Sequence, residues 1–122
     1  MKTLLFCISL CLLIVVSALA ADASGKWQFK VEFDNGGQTG EPVFELKQVG
    51  AKLSGTYDGP LGKHPVTGSV SGQTVTISLK GKRDSGDEFE LVYVGKFDGS
   101  TKMSGRLTFN GNDGAKWTAL KQ

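Results

Sequence analysis

The sequence contains little cysteine and histidine, which excludes several kinds of chemistry. Cys7 and Cys11 are the only cysteines in 122 residues, and both lie before residue 21. A domain formed by residues 21–122 would therefore contain no disulfide and no thiolate nucleophile. His64 is the only histidine, and a zinc site without cysteine would need several carboxylates to converge on it. We expect no metal site.

Catalytic constellations are also missing. A nucleophile needs an adjacent base, and that base needs an orienting partner. His64 lies between Lys63 and Pro65, with no serine or carboxylate beside it in sequence, which favours a surface histidine. The acidic segment 84–88 lacks the spaced oxygen ligands of a dedicated calcium loop. We therefore expect a protein that is not an enzyme and that needs no cofactor.

The first 20 residues have the pattern of an export signal. Met1-Lys2 precedes a largely apolar run from Leu4 to Val16, and Ser17-Ala18-Leu19-Ala20 follows. The run is too short to span a bilayer comfortably, and Ala18-x-Ala20 is the pattern that signal peptidases cleave. We expect cleavage near Ala20, one mature domain at 21–122, and a secreted or periplasmic location.

Charge in the expected mature domain is almost balanced. Of the 14 Lys and Arg residues, only Lys2 lies in the signal, which leaves 13 against 12 Asp and Glu. Because nucleic-acid-binding domains usually carry a basic excess, we expect no nucleic-acid partner.

The mature region alternates apolar and polar residues between glycine-rich turns. All 17 glycines lie there, many in Asn-Gly, Asp-Gly or Ser-Gly pairs that suit tight hairpins. In the first such run, Trp27, Phe29, Val31 and Phe33 share one face. A period of two indicates half-buried antiparallel strands. The predicted strands are 26–34, 42–49, 51–58, 63–70, 73–80, 88–97, 102–110 and 114–121.

Short connections make neighbours in sequence neighbours in the sheet. Eight sequential antiparallel strands bury one face most economically by closing into an up-and-down barrel. The predicted fold class is therefore an all-β, eight-stranded antiparallel meander that closes into a small barrel, with a two-sheet sandwich as the alternative. Outward positions carry charges such as Lys30, Glu32 and Arg106. An outer-membrane barrel would be apolar there, so we expect no membrane partner for the mature form.

Four aromatic residues with polar tips are the candidate site residues. Tyr57, Tyr93 and Trp117 are the expected liners of a ligand pocket, and Trp27 is expected to close the opposite end of the barrel. The same residues would equally serve as core packing, because eight strands leave room for side chains or for one small ligand. A connected cavity of about 300 Å³ or more would favour a ligand site.

The layout of the chain resembles the calycins, which include lipocalins and avidins. Gly25-Lys26-Trp27 opens the first strand, Leu53-Ser54-Gly55-Thr56-Tyr57 ends the third, and Trp117 lies on the last. The Leu-small-Gly-Thr-Tyr run is similar to avidins in particular. That resemblance implies a hydrogen bond from Tyr57 to a bound biotin, and a ligand contact from Trp117.

The avidin pattern is incomplete. Phe29 stands where avidins place a polar ligand contact, and residues such as Leu79 and Phe109 replace tryptophans on middle strands. We therefore do not expect biotin binding. The segments 44–56 and 117–119 resemble small exported bacterial domains of no assigned function more closely, which implies a barrel in the bacterial envelope or outside the cell.

Two functions follow as hypotheses. The first is an exported, non-enzymatic β-barrel that binds a small apolar or aromatic ligand at its open end. The alternative is a structural or protein-interaction domain with a filled barrel, which meets a protein partner through its rim.

Overall fold

The computed structural model describes residues 21–37 and 39–122, so the predicted export signal lies outside the described part. The described residues form nine strands: β1 (Gly25–Phe33), β2 (Thr39–Gly40), β3 (Val43–Val49), β4 (Lys52–Gly59), β5 (Gly62–Ser71), β6 (Thr74–Lys82), β7 (Glu88–Asp98), β8 (Lys102–Phe109) and β9 (Asn112–Lys121). Within those residues, no helix is long and apolar enough to cross a membrane.

The first and last strands pair with each other and close the sheet. Strands β3 to β9 follow in sequence order, every pairing is antiparallel, and β1 lies between β3 and β9. The β1–β9 ladder runs from the pair Trp27 and Lys121 to the pair Phe33 and Ala115. Since a two-sheet sandwich would leave these edges unpaired, the predicted eight-stranded barrel is confirmed and the sandwich is excluded.

The short strand β2 is an addition to the eight predicted strands, and Pro42 explains it. The partner of β1 changes from β3 near its start to β2 near its end. Pro42 lies between β2 and β3 and has no N–H to donate to a ladder. The side-chain amide of Gln28 donates to the Glu41 carbonyl at 3.0 Å, and the Phe29 amide donates to the Pro42 carbonyl at 2.9 Å. The carbonyl groups of Glu41 and Pro42 therefore have hydrogen-bond donors although the ladder is interrupted there.

Inward-facing side chains fill most of the barrel. They alternate along each strand with exposed polar residues, as the sequence pattern predicts. The largest side chains with almost no exposed surface are Trp27, Trp117, Tyr93, Phe29, Phe44, Ile77, Leu79 and Met103. Aromatic rings dominate this interior, and each large buried ring contributes several kcal/mol to folding.

Two inward-facing glycines let the strands bend and the rings fit. A Cβ atom on Gly55 would lie 1.9 Å from the Glu45 carbonyl oxygen of the neighbouring strand. A Cβ atom on Gly95 would lie 2.6 Å from Cζ2 of Trp117. Glycine at such positions permits the sharp strand curvature that a small barrel requires, and Gly95 also makes room for the indole.

The two ends of the barrel differ. One end, which we call the mouth, carries the segments 34–37, 39–42, 60–61, 83–87 and 110–111. The opposite end is closed by Trp27, whose indole N–H donates to the Ala23 carbonyl at 2.9 Å. Both residues are fully buried, so the segment before β1 folds over this end, as expected for Trp27.

Candidate functional site

A cavity of about 220 Å³ opens at the mouth of the barrel. Inward-facing apolar residues of three strands form its walls. They are Val31 and Phe33 on β1, Leu91 on β7, and Leu107 and Phe109 on β8. These positions follow the period-two alternation of their strands. The cavity is therefore the unfilled last layer of the barrel interior.

Two connecting segments cover part of this opening. Thr39, Gly40 and Pro42 contribute from the β1–β3 connection, and Pro60 and Leu61 contribute from the β4–β5 turn. A Cβ atom built on Gly40 would lie 3.5 Å from Cγ of Pro60, so the two segments approach each other across the mouth. We call the cavity that they partly cover the cup.

Tyr57 and Tyr93 bring the polar groups to this cup. The side chains are 2% and 1% exposed, and both line the cavity. Burial raises the pKa of Tyr93 well above its ordinary value, and the nearby Tyr57 adds to that rise. Burial also raises the pKa of Tyr57, and the neighbouring Leu61 backbone amide partly offsets that rise. Both hydroxyls therefore stay neutral at physiological pH.

The backbone of Leu61 is held from both sides. Its N–H meets the Tyr57 hydroxyl, and its carbonyl oxygen lies 2.7 Å from Nε2 of His64. Because a carbonyl only accepts, His64 carries its proton on Nε2 and donates it. These two contacts fix the β4–β5 turn over the cavity.

His64 itself lies on the inward set of β5, half-buried at the mouth. Its ring packs edge-on against Phe89, with centroids 5.6 Å apart, and a Cβ on Gly81 would lie 2.9 Å from its Cε1. His64 is therefore a partly exposed histidine, as expected, but it lies on the inward side of β5. The alternation His64, Val66, Val70 within β5 was the signal that placed it inward.

Trp117, the third expected liner, lies one layer below the cup. It is 1% exposed and packs edge-on against Tyr93, with ring centroids 5.9 Å apart. Its indole N–H donates to the Arg106 carbonyl at 2.9 Å, so its polar tip is already used. The structure brings Tyr57 and Tyr93 together at the cavity, and Trp117 supports Tyr93 from beneath.

The residues that line the cup carry no charge. The guanidinium of Arg83 lies outside, 5.3 Å from the centre of the Phe109 ring. Arg106 also points outward, where it pairs with Asp34 and Asp113. Among residues 21–37 and 39–122, no three His, Cys, Asp or Glu side chains converge into a metal-binding group. The chemistry available inside the cup is apolar contact plus hydrogen bonding to the hydroxyls of Tyr57, Tyr93 and Thr39.

Sequence reasoning did not identify the apolar liners Val31, Leu91, Leu107 and Phe109. Their alternation showed that they face inward, but it carries no information on depth along the barrel axis. Leu61 had no signal beyond its place in a Gly-Pro-Leu-Gly turn.

Several solved structures of designed barrels share this fold. The chain aligns with a redesigned β-barrel, mFAP1, bound to DFHBI, with a TM-score of 0.62, 15% identity, and coverage of 80% of this chain and 94% of that one. A second redesigned barrel, b11L5F_LGL, gives a TM-score of 0.66 at 14% identity, covering 81% of this chain and 90% of that one. A de novo designed fluorescence-activating barrel gives 0.61 at 10% identity, covering 81% and 93%.

At this identity the likeness shows the fold alone, an eight-stranded antiparallel barrel. No protein-family model and no curated protein matches the chain.

Proposed function

We propose that the domain is a non-enzymatic binding protein that holds a small apolar or aromatic molecule in the cup at the barrel mouth. The observation that carries this proposal is the cavity itself, which is lined mainly by apolar side chains together with two tyrosines and Thr39. Small-molecule sites usually have this composition, with a few polar groups that orient the ligand.

The size of the cup limits the ligand. Drug-sized ligands occupy about 300–1,000 Å³, whereas a dry apolar cavity of about 150 Å³ is enough for benzene. A cup of about 220 Å³ therefore suits one aromatic ring or a compact bicyclic molecule. It is smaller than the cavity of about 300 Å³ or more that would favour a ligand site on the criterion set from the sequence, so the proposal is confined to ligands of this smaller size.

The fold supports the same proposal from a second direction. Three of the structures with a similar fold are bound to the small molecule DFHBI. The calycin resemblance, which we propose as a likeness of architecture, also favours a ligand at the open end. Neither gives the identity of a ligand for this chain.

Filling the cup tests the proposal. Leu107→Phe places extra volume in the cavity, and Leu120→Phe makes the same change at an exposed site on β9. We expect toluene to bind the wild type and Leu120→Phe in isothermal titration calorimetry, and to bind Leu107→Phe at least tenfold more weakly. The alternative, a filled barrel that acts through its rim, predicts no toluene binding to any of the three proteins.

We also propose that the domain is exported after cleavage near Ala20. Ala23 follows this site closely, is fully buried and accepts the Trp27 hydrogen bond, so the folded part begins soon after the expected cut. N-terminal sequencing of the secreted protein should give a start near Ala21. A secreted protein that retains Met1 would contradict the proposal.

A further inference from the structure

Among the described residues, no protein atom forms a hydrogen bond with the hydroxyl of Tyr93, which lies at the base of the cup. Burial and the proximity of Tyr57 account for its raised pKa, with no hydrogen bond contributing. Every side-chain nitrogen or oxygen sealed from solvent in the described residues has a hydrogen-bond partner. The Tyr93 hydroxyl has none there, so it must be open to the cavity that its side chain lines.

The rest of the Tyr93 side chain is fixed. Its ring packs edge-on against Phe29, Phe44 and Trp117, with centroids 5.6, 5.2 and 5.9 Å away. A ring held on several sides cannot swing its hydroxyl toward another partner. The hydroxyl therefore presents a donor and an acceptor at a fixed place in an apolar cup.

Tyr57 has a different role although it lines the same cavity. The Leu61 backbone amide lies beside its hydroxyl and lowers its pKa, and Gly59 packs so closely that a Cβ there would lie 2.9 Å from the hydroxyl oxygen. Tyr57 thus anchors the turn that covers the cup. Its hydroxyl has a backbone amide beside it, whereas no hydrogen-bonding group contributes to the pKa of Tyr93.

Charge is the second feature that restricts the ligand. The cup contains no cation or anion, and moving an ionised group from water into such a site without a partner is costly. At the rim, Arg83 is accompanied by Asp84, Asp87 and Glu88 in the same segment. The rim therefore offers no net positive charge to a carboxylate that protrudes from the mouth.

We propose that the cup selects uncharged ring compounds that carry one hydrogen-bonding group, and that the Tyr93 hydroxyl recognises this group. The inference rests on the proposed ligand-binding function and adds the chemical class of the ligand. A neutral phenol or aromatic amide has the required chemistry, because its ring replaces water in the cup while its polar atom pairs with Tyr93.

Four probes of similar size distinguish binding in the cup from selection by the Tyr93 hydroxyl. They are toluene, phenol, benzamide and benzoate. At pH 7 phenol and benzamide are neutral, while benzoate is ionised because carboxyl pKa values lie near 4. Calorimetric titration of the wild type should show phenol and benzamide binding more tightly than toluene. Benzoate should bind at least tenfold more weakly than benzamide, its neutral analogue.

Matched variants assign the hydrogen bond. Tyr93→Phe retains the ring and should weaken phenol and benzamide by about two- to tenfold, while the affinity for toluene stays within about twofold. Tyr57→Phe and Thr39→Val remove the other hydroxyls around the cup. These variants should leave the ratio of phenol affinity to toluene affinity unchanged. Thermal melts confirm that each variant is folded.

The outcomes distinguish the two proposals. Three results would show that selection by Tyr93 is wrong while the binding function stands. These are equal affinities for toluene and phenol, equal affinities for benzoate and benzamide, or a ratio of phenol affinity to toluene affinity that falls in Thr39→Val and not in Tyr93→Phe. If none of the four probes binds, the proposed function fails and the inference fails with it.

Discussion

The indole of Trp117 stacks on the ring of Phe29, with centroids 4.9 Å apart and planes inclined by 20°. Phe29 is on the first long strand and Trp117 on the last, so this stack lies along the seam where the barrel closes. Barrel closure thus rests on buried aromatic packing as well as on the backbone ladder.

Nuclear magnetic resonance can detect this seam directly. We expect nuclear Overhauser contacts between the ring protons of Phe29 and Trp117, and cross-strand contacts between the backbones of Phe29 and Ala119, which are register partners. Amides in this ladder should exchange slowly with solvent. If β1 and β9 show no mutual contacts and exchange quickly, the sheet is open and the account of the barrel is wrong.

Removing the closed-end tryptophan should be severely destabilising. Trp27 is fully buried and holds the segment before β1 through Ala23. We expect Trp27→Ala to lower the free energy of unfolding by about 3–5 kcal/mol, a large part of the 5–15 kcal/mol typical of a small domain. Urea denaturation measures this loss. Leu120→Ala, at an exposed position, is the control and should cost less than about 0.5 kcal/mol.

The two tyrosines of the cup should respond oppositely in the absence of ligand. Tyr57→Phe deletes the hydroxyl that lies beside the Leu61 backbone amide and should cost about 0.5–1.5 kcal/mol of stability. Tyr93→Phe deletes a hydroxyl without a protein partner among the described residues and should leave stability unchanged or raised. Chemical denaturation of both variants tests this, and an equal loss in both would refute the assignment of roles.

The ion pairs of Arg106 should contribute to the stability of the barrel in a way that depends on pH and salt. The hydrogen bond from Arg106 holds the pKa of Asp34 below its ordinary 3.8. A lowered folded-state pKa stabilises the fold above the ordinary value, and this contribution disappears as pH falls through the folded-state pKa.

Asp34→Asn should therefore lower the Tm at pH 7. The difference from wild type should shrink toward about pH 2 and in high salt, which screens exposed charges. Glu45→Gln, a change at an exposed carboxylate on β3, is the control and should show neither trend. A difference between Asp34→Asn and wild type that is the same at both pH values would contradict this role for Asp34.

The strands were predictable because alternation and turn residues are local properties. Runs such as Trp27 to Phe33 gave both the strand and its inward face, and the eight predicted strands are confirmed with small differences at their ends. Strand β2 was missed because two residues cannot show a period. Its existence depends on how Pro42 interrupts the pairing with β1.

The site was only partly predictable because depth in a barrel depends on strand stagger, which is a property of the whole sheet. Tyr57 and Trp117 are both inward aromatic residues by alternation, yet one borders the cavity and the other lies beneath it. The inward position of His64 was visible in the alternation of β5. Its contact with Leu61 depended on the shape of the turn.

One measurement tests the central claim most directly: a ¹H–¹⁵N titration of the uniformly labelled mature domain with phenol. We predict saturable shifts of amides around the cup, at Leu61, Leu91, Tyr93 and Leu107, while glycines in the turns of the opposite end, Gly50, Gly72 and Gly99, stay in place. An absence of saturable shifts, or shifts centred on the opposite end, would contradict a ligand site at the mouth.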